Sequence, residues 1–268
     1  MTNLTPNQFN EMSLLYHYTT FDRLDSIIDS KSLWCSKLIG MNDFTEVEKV
    51  LFFEEYSENN DELRNLITEK YNTIGQISFS QDCKGNKGYA INSMWGHYAN
   101  KGEGCCLVFD KNKIIVEAER KGYFYSSVKY NKGDTDCSIP PEVKTESDVE
   151  KHFKNNWKPI FFNKTTDWKN EQEFRILDLS FNKNTQDLSI KDSFIGVIFH
   201  SICFDPIWNC PIIRHFIDKL KSMNLLALSY EYSNMFGDDN GYKLKDGEGN
   251  EWNEIIKIEP DTSTYDNN

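Results

Sequence analysis

The chain lacks the features that would place it in several large classes. Its seven cysteines (Cys35, Cys83, Cys105, Cys106, Cys137, Cys203 and Cys210) are odd in number and include no Cys-x-x-Cys pair, so neither a disulfide framework nor a zinc cage is supported, and no metal ligands are expected. Cys105, Cys106 and Cys203 lie in apolar runs, where a thiol behaves as a small hydrophobe; a reducing cytoplasm is the expected setting. No apolar run approaches the roughly 20 residues that cross a bilayer. Met1 to Pro6 is polar and lacks the basic-then-apolar pattern of a leader peptide, so no membrane partner is expected. Positive charge is also scarce: 30 basic residues face 42 acidic ones, for a net charge of -12. That excludes a broad, non-specific grip on a nucleic-acid backbone but leaves room for a local basic groove. The GxGxxG turn and regular βαβ alternation of a Rossmann domain are missing, and Gly85 to Gly88 leads into no Gly-Lys-Ser/Thr phosphate loop.

Aromatic residues are plentiful, with 18 Phe, 13 Tyr and 6 Trp among 268 residues. Such a chain is globular and large enough for one sizeable core. It reads as a single domain over 1–268, with a core over about 14–232 and an acidic tail over 233–268. The acidic stretches, Glu54 to Glu62 and the tail, read as solvated faces.

Hydrophobic periodicity predicts strands at Leu14–Tyr18, Ser32–Ser36, Ile74–Ser80, Cys105–Phe109, Tyr123–Tyr130, Glu173–Leu179, Leu188–Ile190, Phe194–Phe199 and Leu225–Tyr232, with one more near Trp252–Ile258. Helices are expected near Thr5-Pro6, after Thr19 or Thr20, after Met41–Thr45, and over Ser93–Ala99, Ser147–Phe162 and Asp205–Ser222. Residues 131–146, with Pro140-Pro141, read as a surface loop. The order implies an α+β fold with a mostly antiparallel sheet, in which Cys105–Phe109, apolar on both faces, is central.

Four constellations can carry chemistry. His17, in Tyr16-His17-Tyr18-Thr19, ends a strand just before a helix start, where a neutral imidazole can bond a sugar hydroxyl; the plain alternative is a core histidine beside a capping threonine. In Met94–Ala99, Met94, Trp95 and Tyr98 share one helical face and His97 takes another, which makes either an aromatic wall or core packing. Asn42-Asp43, within Met41–Glu46, is a turn that can line a cleft. The richest stretch is Glu171-Gln172-Glu173-Phe174-Arg175-Ile176-Leu177. As a strand it buries Phe174 and Ile176 and gathers Glu171, Glu173 and Arg175 on the opposite face. Two carboxylates so close require solvent, a cation or a polar ligand; the plain alternative is a solvated edge strand with Glu173 and Arg175 paired. Lys164 can bind a phosphate, and Trp168 can close over a ring.

These segments together resemble a bacterial family of unknown function numbered 2971. The resemblance is carried by His17-Tyr18-Thr19, Leu33-Trp34, Asn42-Asp43, Trp95 to Ala99 with Gly104, Trp168 to Arg175, and Ile195 to Ile198, over roughly 14 to 230. That family in turn resembles the ADP-ribosyltransferase superfamily. The resemblance implies a split, mostly antiparallel sheet with helices packed around it and NAD as substrate. It also implies His17 on the adenosine-side ribose, with Tyr18 and Thr19 beside it, and Tyr98 or Trp34 on nicotinamide. Asn42 and Arg175 would join the NAD-binding set, Glu173 would be the catalytic carboxylate, and Glu171 would direct the acceptor. The activity would be ADP-ribose transfer to a protein or nucleic acid, or hydrolysis of NAD, and a bacterial toxin or phage-defence role with a neutralising or activating partner would follow. A first-strand His combined with Glu-x-Glu mixes the patterns of two groups in that superfamily, and no Ser-Thr-Ser strand is evident. Two other expectations stand beside this one: a non-catalytic sensor or partner-binding module on the same fold, and a nucleic-acid enzyme that does not use NAD, with Lys151, Lys154, Lys158 and Lys164 as its basic stripe.

Overall fold

The structure, a computed structural model, describes residues 4–38, 61–83, 85–131, 139–140, 142–184, 186–200, 210–233, 241–246, 250–252 and 256–257. In chain order its elements are α1 (Pro6–Glu11), β1 (Leu14–Thr19), α2 (Phe21–Ser30), β2 (Ser32–Trp34), β3 (Ser36–Lys37), α3 (Asp61–Thr73), β4 (Gly75–Gln81), α4 (Asn92–Tyr98), β5 (Cys105–Asp110), α5 (Lys111–Lys121), β6 (Phe124–Ser127), β7 (Lys129–Asn131), α6 (Glu146–Asn155), α7 (Trp157–Phe161), β8 (Asn163–Thr165), β9 (Glu173–Asp178), β10 (Asp187–Ser189), β11 (Phe194–His200), α8 (Pro211–Ser222), β12 (Leu226–Ser233), β13 (Gly241–Asp246) and β14 (Ile256–Lys257). The fold is α+β, and most strand pairs are antiparallel. The chain divides into two compact units. One comprises Met1–Leu24, Asp82–Asp110 and Phe194–Asn268, and the other Asp25–Gln81 and Lys111–Ser193.

In the first unit the strands run β14-β13-β12-β11-β5-β1. β5 lies between β1 and β11, antiparallel to both, and Cys105 to Phe109 are all buried. This is the central strand that a run apolar on both faces requires. β11 and β12 are parallel, which needs a crossover rather than a hairpin, and α8 lies between them in sequence. Ile213, Phe216, Ile217 and Leu220 form its buried stripe, at helical spacing. The proline in this helix does not interrupt it, because Pro211 takes the first turn, where its missing N–H costs nothing. α1 begins where a helix start was expected, near Thr5-Pro6, and the structure adds a reciprocal cap: Thr5 Oγ1 accepts from the Gln8 N–H at 3.3 Å, and Gln8 Oε1 accepts from the Thr5 N–H at 2.8 Å. The core gathers Phe9, Tyr16, Tyr18, Tyr89, Trp95, Val108, Ile198 and Tyr230. Gly104 is needed for close approach, because a Cβ there would stand 2.3 Å from the Thr19 carbonyl oxygen.

In the second unit β9 lies between β4 and β6, antiparallel to both, and β3 pairs with β4. β2 pairs with β10, and β7 runs parallel to β8. The core here is Ile67, Tyr71, Val149, Phe153, Phe161, Leu177 and Phe181. Lys70 ties α3 to α6 through Glu146 and Glu150.

Three expected elements are divided in the structure. Ser32–Ser36, expected as one strand, is β2, which pairs with β10, and the start of β3, which pairs with β4. Ser147–Phe162, expected as one helix, is α6 and α7, separated at Asn156 (φ -115°, ψ 22°), whose side chain donates to the His152 carbonyl at 3.0 Å. Tyr123–Tyr130, expected as one strand, changes partner around Val128: β6 pairs with β9, and β7 pairs with β8. α5 and β13 have no counterpart in the sequence reading. The Met41–Thr45 turn, the helix start before Asp61, residues 132–138 and 141 of the 131–146 loop, and residues 205–209 of the helix expected over Asp205–Ser222 lie outside the described residues. Among the described residues no helix is long and apolar enough to cross a membrane.

Candidate functional site

The Glu-x-Glu run is not a continuous strand. Glu171 closes a 3-10 turn over Thr166–Glu171, and Gln172 adopts a left-handed conformation (φ 48°, ψ 47°) before β9 begins at Glu173. Strand alternation therefore governs Glu173 and Arg175 but does not reach Glu171. Nor is β9 an edge strand, and all six of its residues are buried. The face opposite Phe174 and Ile176 is thus a buried polar face rather than a solvated one.

Register identifies the rest of that face. Ser80 lies opposite Glu173, and Ser78 and Ser126 flank Arg175 from either side. The repeat Gln76-Ile77-Ser78-Phe79-Ser80 alternates polar and apolar residues, which places Gln76, Ser78 and Ser80 on the Glu173 side. Gln76 Nε2 donates to Ser78 Oγ at 2.8 Å. Ser80 Oγ and Gln76 Oε1 are buried with no hydrogen-bond partner among the described residues.

The charges meet in one cluster. Arg175 Nε donates to Glu173 Oε1 at 2.8 Å and its Nη2 donates to Oε2 at 2.9 Å, while Nη1 donates to the Phe161 carbonyl. Lys164, carried in by β8, lies 2.8 Å from Glu171 Oε2 and 3.0 Å from Glu173 Oε2. The Tyr130 hydroxyl accepts the Glu173 backbone N–H at 2.8 Å. Two carboxylates and two cations are thus buried together, with side-chain exposures of 8% or less. The cation demanded by the paired carboxylates is Lys164. Burial alone would raise the Glu173 carboxyl. The Arg175 guanidinium and the Lys164 ammonium outweigh it, with help from the Ser78 hydroxyl, and hold the group well below the ordinary carboxylate range. Both Glu173 oxygens are thus engaged by cations, which favour the charged form. Lys164 also lies 5.2 Å from the centroid of the Trp168 ring, so it belongs to this cluster and not to a solvated stripe with Lys151, Lys154 and Lys158.

The other candidate residues belong to different surroundings. In the first unit, His17 is half-buried on β1, opposite Leu107. Tyr18 is a core residue whose hydroxyl donates to the Gly88 carbonyl at 2.7 Å and whose ring meets Trp95 edge-on at 5.1 Å. Thr19 is buried, and its hydroxyl has no hydrogen-bond partner among the described residues. Trp95 is buried, Met94 and Tyr98 pack partly against the same core, and His97 is exposed, so the helical stripe is realised mainly as core. In the second unit Trp34 ends β2 opposite Asp187 and is 69% exposed. Asn42 lies outside the described residues. Among the described residues no cluster of three His, Cys, Asp or Glu is arranged to hold a metal.

The sequence reading passed over Ser78, Ser80, Tyr130 and the role of Lys164 as a counter-ion. The signal for the serines was present in the alternation of β4, since polar residues at every second position of a strand mark a shared face. Nothing local to Tyr130 or Lys164 announces their partners.

Residues 94–176 match the model of a family described as "Protein of unknown function (DUF2971)". The match takes in Trp95–Ala99, Gly104 and Trp168–Arg175, and supports that family over this stretch. No curated protein and no solved structure matches the chain.

Proposed function

We propose that the protein cleaves the nicotinamide–ribose bond of NAD and passes ADP-ribose to a protein, a nucleic acid or water, with Glu173 as the carboxylate that faces the reacting sugar. The observation that supports this reading is a buried glutamate kept ionised by Arg175 and Lys164. In the reaction the C–N bond breaks with its electron pair leaving on nicotinamide, and the ribose carbon becomes oxocarbenium-like, as in glycoside cleavage. A carboxylate about 4 Å from that charge contributes roughly 4 kcal/mol at an effective dielectric of 20. An oxygen of Glu173 must be released for this. Lys164 is the group able to release it, because it already holds Glu171 at 2.8 Å and retains that partner when it leaves Glu173. Glu171 would then remain with Lys164 near the acceptor.

A second reading is favoured by a different feature. Three N–H donors reach Glu173 and the Ser78 hydroxyl adds another hydrogen bond, against roughly four lone-pair sites on a carboxylate. A carboxylate so fully engaged suits a non-catalytic binding module in which the cluster only fixes β9.

Incubation of the protein with NAD, with and without added protein, DNA or RNA, separates the two. Chromatographic detection of free nicotinamide with wild type, and its loss in Glu173→Gln, is the outcome of the enzymatic reading. No nicotinamide from wild type under any acceptor condition leaves the binding module.

A further inference from the structure

The opposite face of the same three strands carries a second polar arrangement, separate from the glutamate cluster. Lys111, the first residue of α5, is half-buried. Its ammonium lies 4.5 Å from the centroid of the Phe174 ring and donates to Gln81 Oε1 at 2.7 Å. Gln81 Nε2 in turn donates to Ser127 Oγ at 2.8 Å. No carboxylate among the described residues pairs with this ammonium. Glu119, on the same helix, accepts from the Tyr125 hydroxyl at 2.6 Å, and eight residues of helix place it roughly 12 Å along the axis from Lys111.

Chemistry fixes the polarity of this chain of bonds. An ammonium has no acceptor, so the carboxamide must turn its oxygen to Lys111. Its nitrogen then faces Ser127, and Ser127 Oγ is the acceptor. The Ser127 proton is thereby directed away from Gln81, and Ser127 is exposed. An ammonium retains donor capacity after one hydrogen bond and one ring contact. Lys111 and Ser127 thus offer a positive charge and a hydroxyl donor from the two ends of one carboxamide. They are separate point donors rather than the planar fork that matches a carboxylate, and this suits a tetrahedral oxyanion.

We propose that Lys111, Gln81 and Ser127 form a binding site for the phosphoryl group of an anionic ligand. The site lies wholly within the second unit and does not depend on NAD cleavage. A half-buried cation over an aromatic ring has lost part of its hydration, and burial lowers the Lys111 pKa; a bound anion offsets that cost.

The test is titration of the 268-residue chain with inorganic pyrophosphate, followed by calorimetry and by NMR of the ¹³C-methylated lysines. Saturable binding should shift the Lys111 resonance. Lys111→Met should weaken binding by about tenfold or more, as expected for a lost charge-assisted bond, and Ser127→Ala should weaken it by a smaller factor. Gln81→Glu provides a second route if Lys111→Met does not fold. It keeps the shape but gives the ammonium an internal carboxylate, and it should weaken binding comparably. Absence of saturable binding to wild type, or wild-type affinity in both Lys111→Met and Gln81→Glu, overturns the proposal. Nicotinamide release is not measured, so the result is independent of the enzymatic reading.

Discussion

Arg175 grips Glu173 from two positions along the same strand, with Nε 2.8 Å from Oε1 and Nη2 2.9 Å from Oε2. Side chains at that spacing share a face, and here the face is buried, so the pair is shielded from water. Charges removed from water lose hydration, and their mutual attraction offsets that loss only while both partners remain.

Arg175→Met should therefore destabilise the protein by about 3–5 kcal/mol, because it leaves Glu173 with Lys164 alone inside the fold. Urea denaturation measures this directly. Arg175→Lys should not restore stability, since a single ammonium cannot span both carboxylate oxygens and the Phe161 carbonyl as the guanidinium does. A lysine variant of wild-type stability would mean that the fork geometry is unimportant.

Acid should reveal the same cluster. The folded Glu173 carboxyl is held below its ordinary range, so the unfolded chain takes up the proton first. The stabilising contribution is complete above the ordinary glutamate value of about 4.3 and is lost as the pH falls through and below it. Glu173→Gln cannot titrate and should show a shallower fall in melting temperature between pH 6 and pH 3. Parallel slopes for the two proteins would rule out this source of acid sensitivity.

The strands of both units were largely legible because their signal is local. Cys105 to Phe109 is apolar at every position, and only a strand covered on both faces tolerates that. The stripe in Pro211–Ser222 is equally explicit at helical spacing. Less was readable where pairing decides the outcome. Tyr123 to Tyr130 looks like one strand, yet its ends serve different partners, and no local pattern encodes a change of neighbour. The acidic run was legible as a place where two carboxylates and an arginine meet. Its burial was not, because that depends on β4 and β6 flanking it and on Lys164 arriving from β8.

A buried histidine in the first unit should give stability a second pH dependence. His200 is 5% exposed, with its ring centroid 4.9 Å from that of Trp95 and 5.1 Å from that of Tyr230. Burial pushes its pKa down from 6.5 to about 4. The folded imidazole stays neutral while the unfolded one takes up a proton, so stability is complete above the ordinary value and falls as the pH drops from 6.5 towards 4. The total is about 3 kcal/mol at most. His200→Phe should flatten the stability profile over that window and leave the fall below pH 4 in place. An unchanged slope between pH 6.5 and 4 would show that the ring is already protonated or solvated in the fold.

Two glycines eight residues apart should respond to the same substitution with opposite signs. A Cβ on Gly104 would stand 2.3 Å from the Thr19 carbonyl oxygen and 3.0 Å from Ala99 Cα. Both neighbours are backbone, and Thr19 is fixed in register opposite Cys105, so neither can move aside as a flexible side chain would. Gly104→Ala should cost roughly 1–3 kcal/mol, the usual penalty of overpacking. Gly96 is exposed in the interior of α4, and its added Cβ would meet nothing within 4 Å. There alanine restricts the unfolded chain and favours the helix, so Gly96→Ala should gain about 0.5–1 kcal/mol. Thermal melts of the two variants against wild type decide the matter. A neutral Gly104→Ala would mean that β1 and the turn before β5 are not in the close contact that the fold of this unit requires.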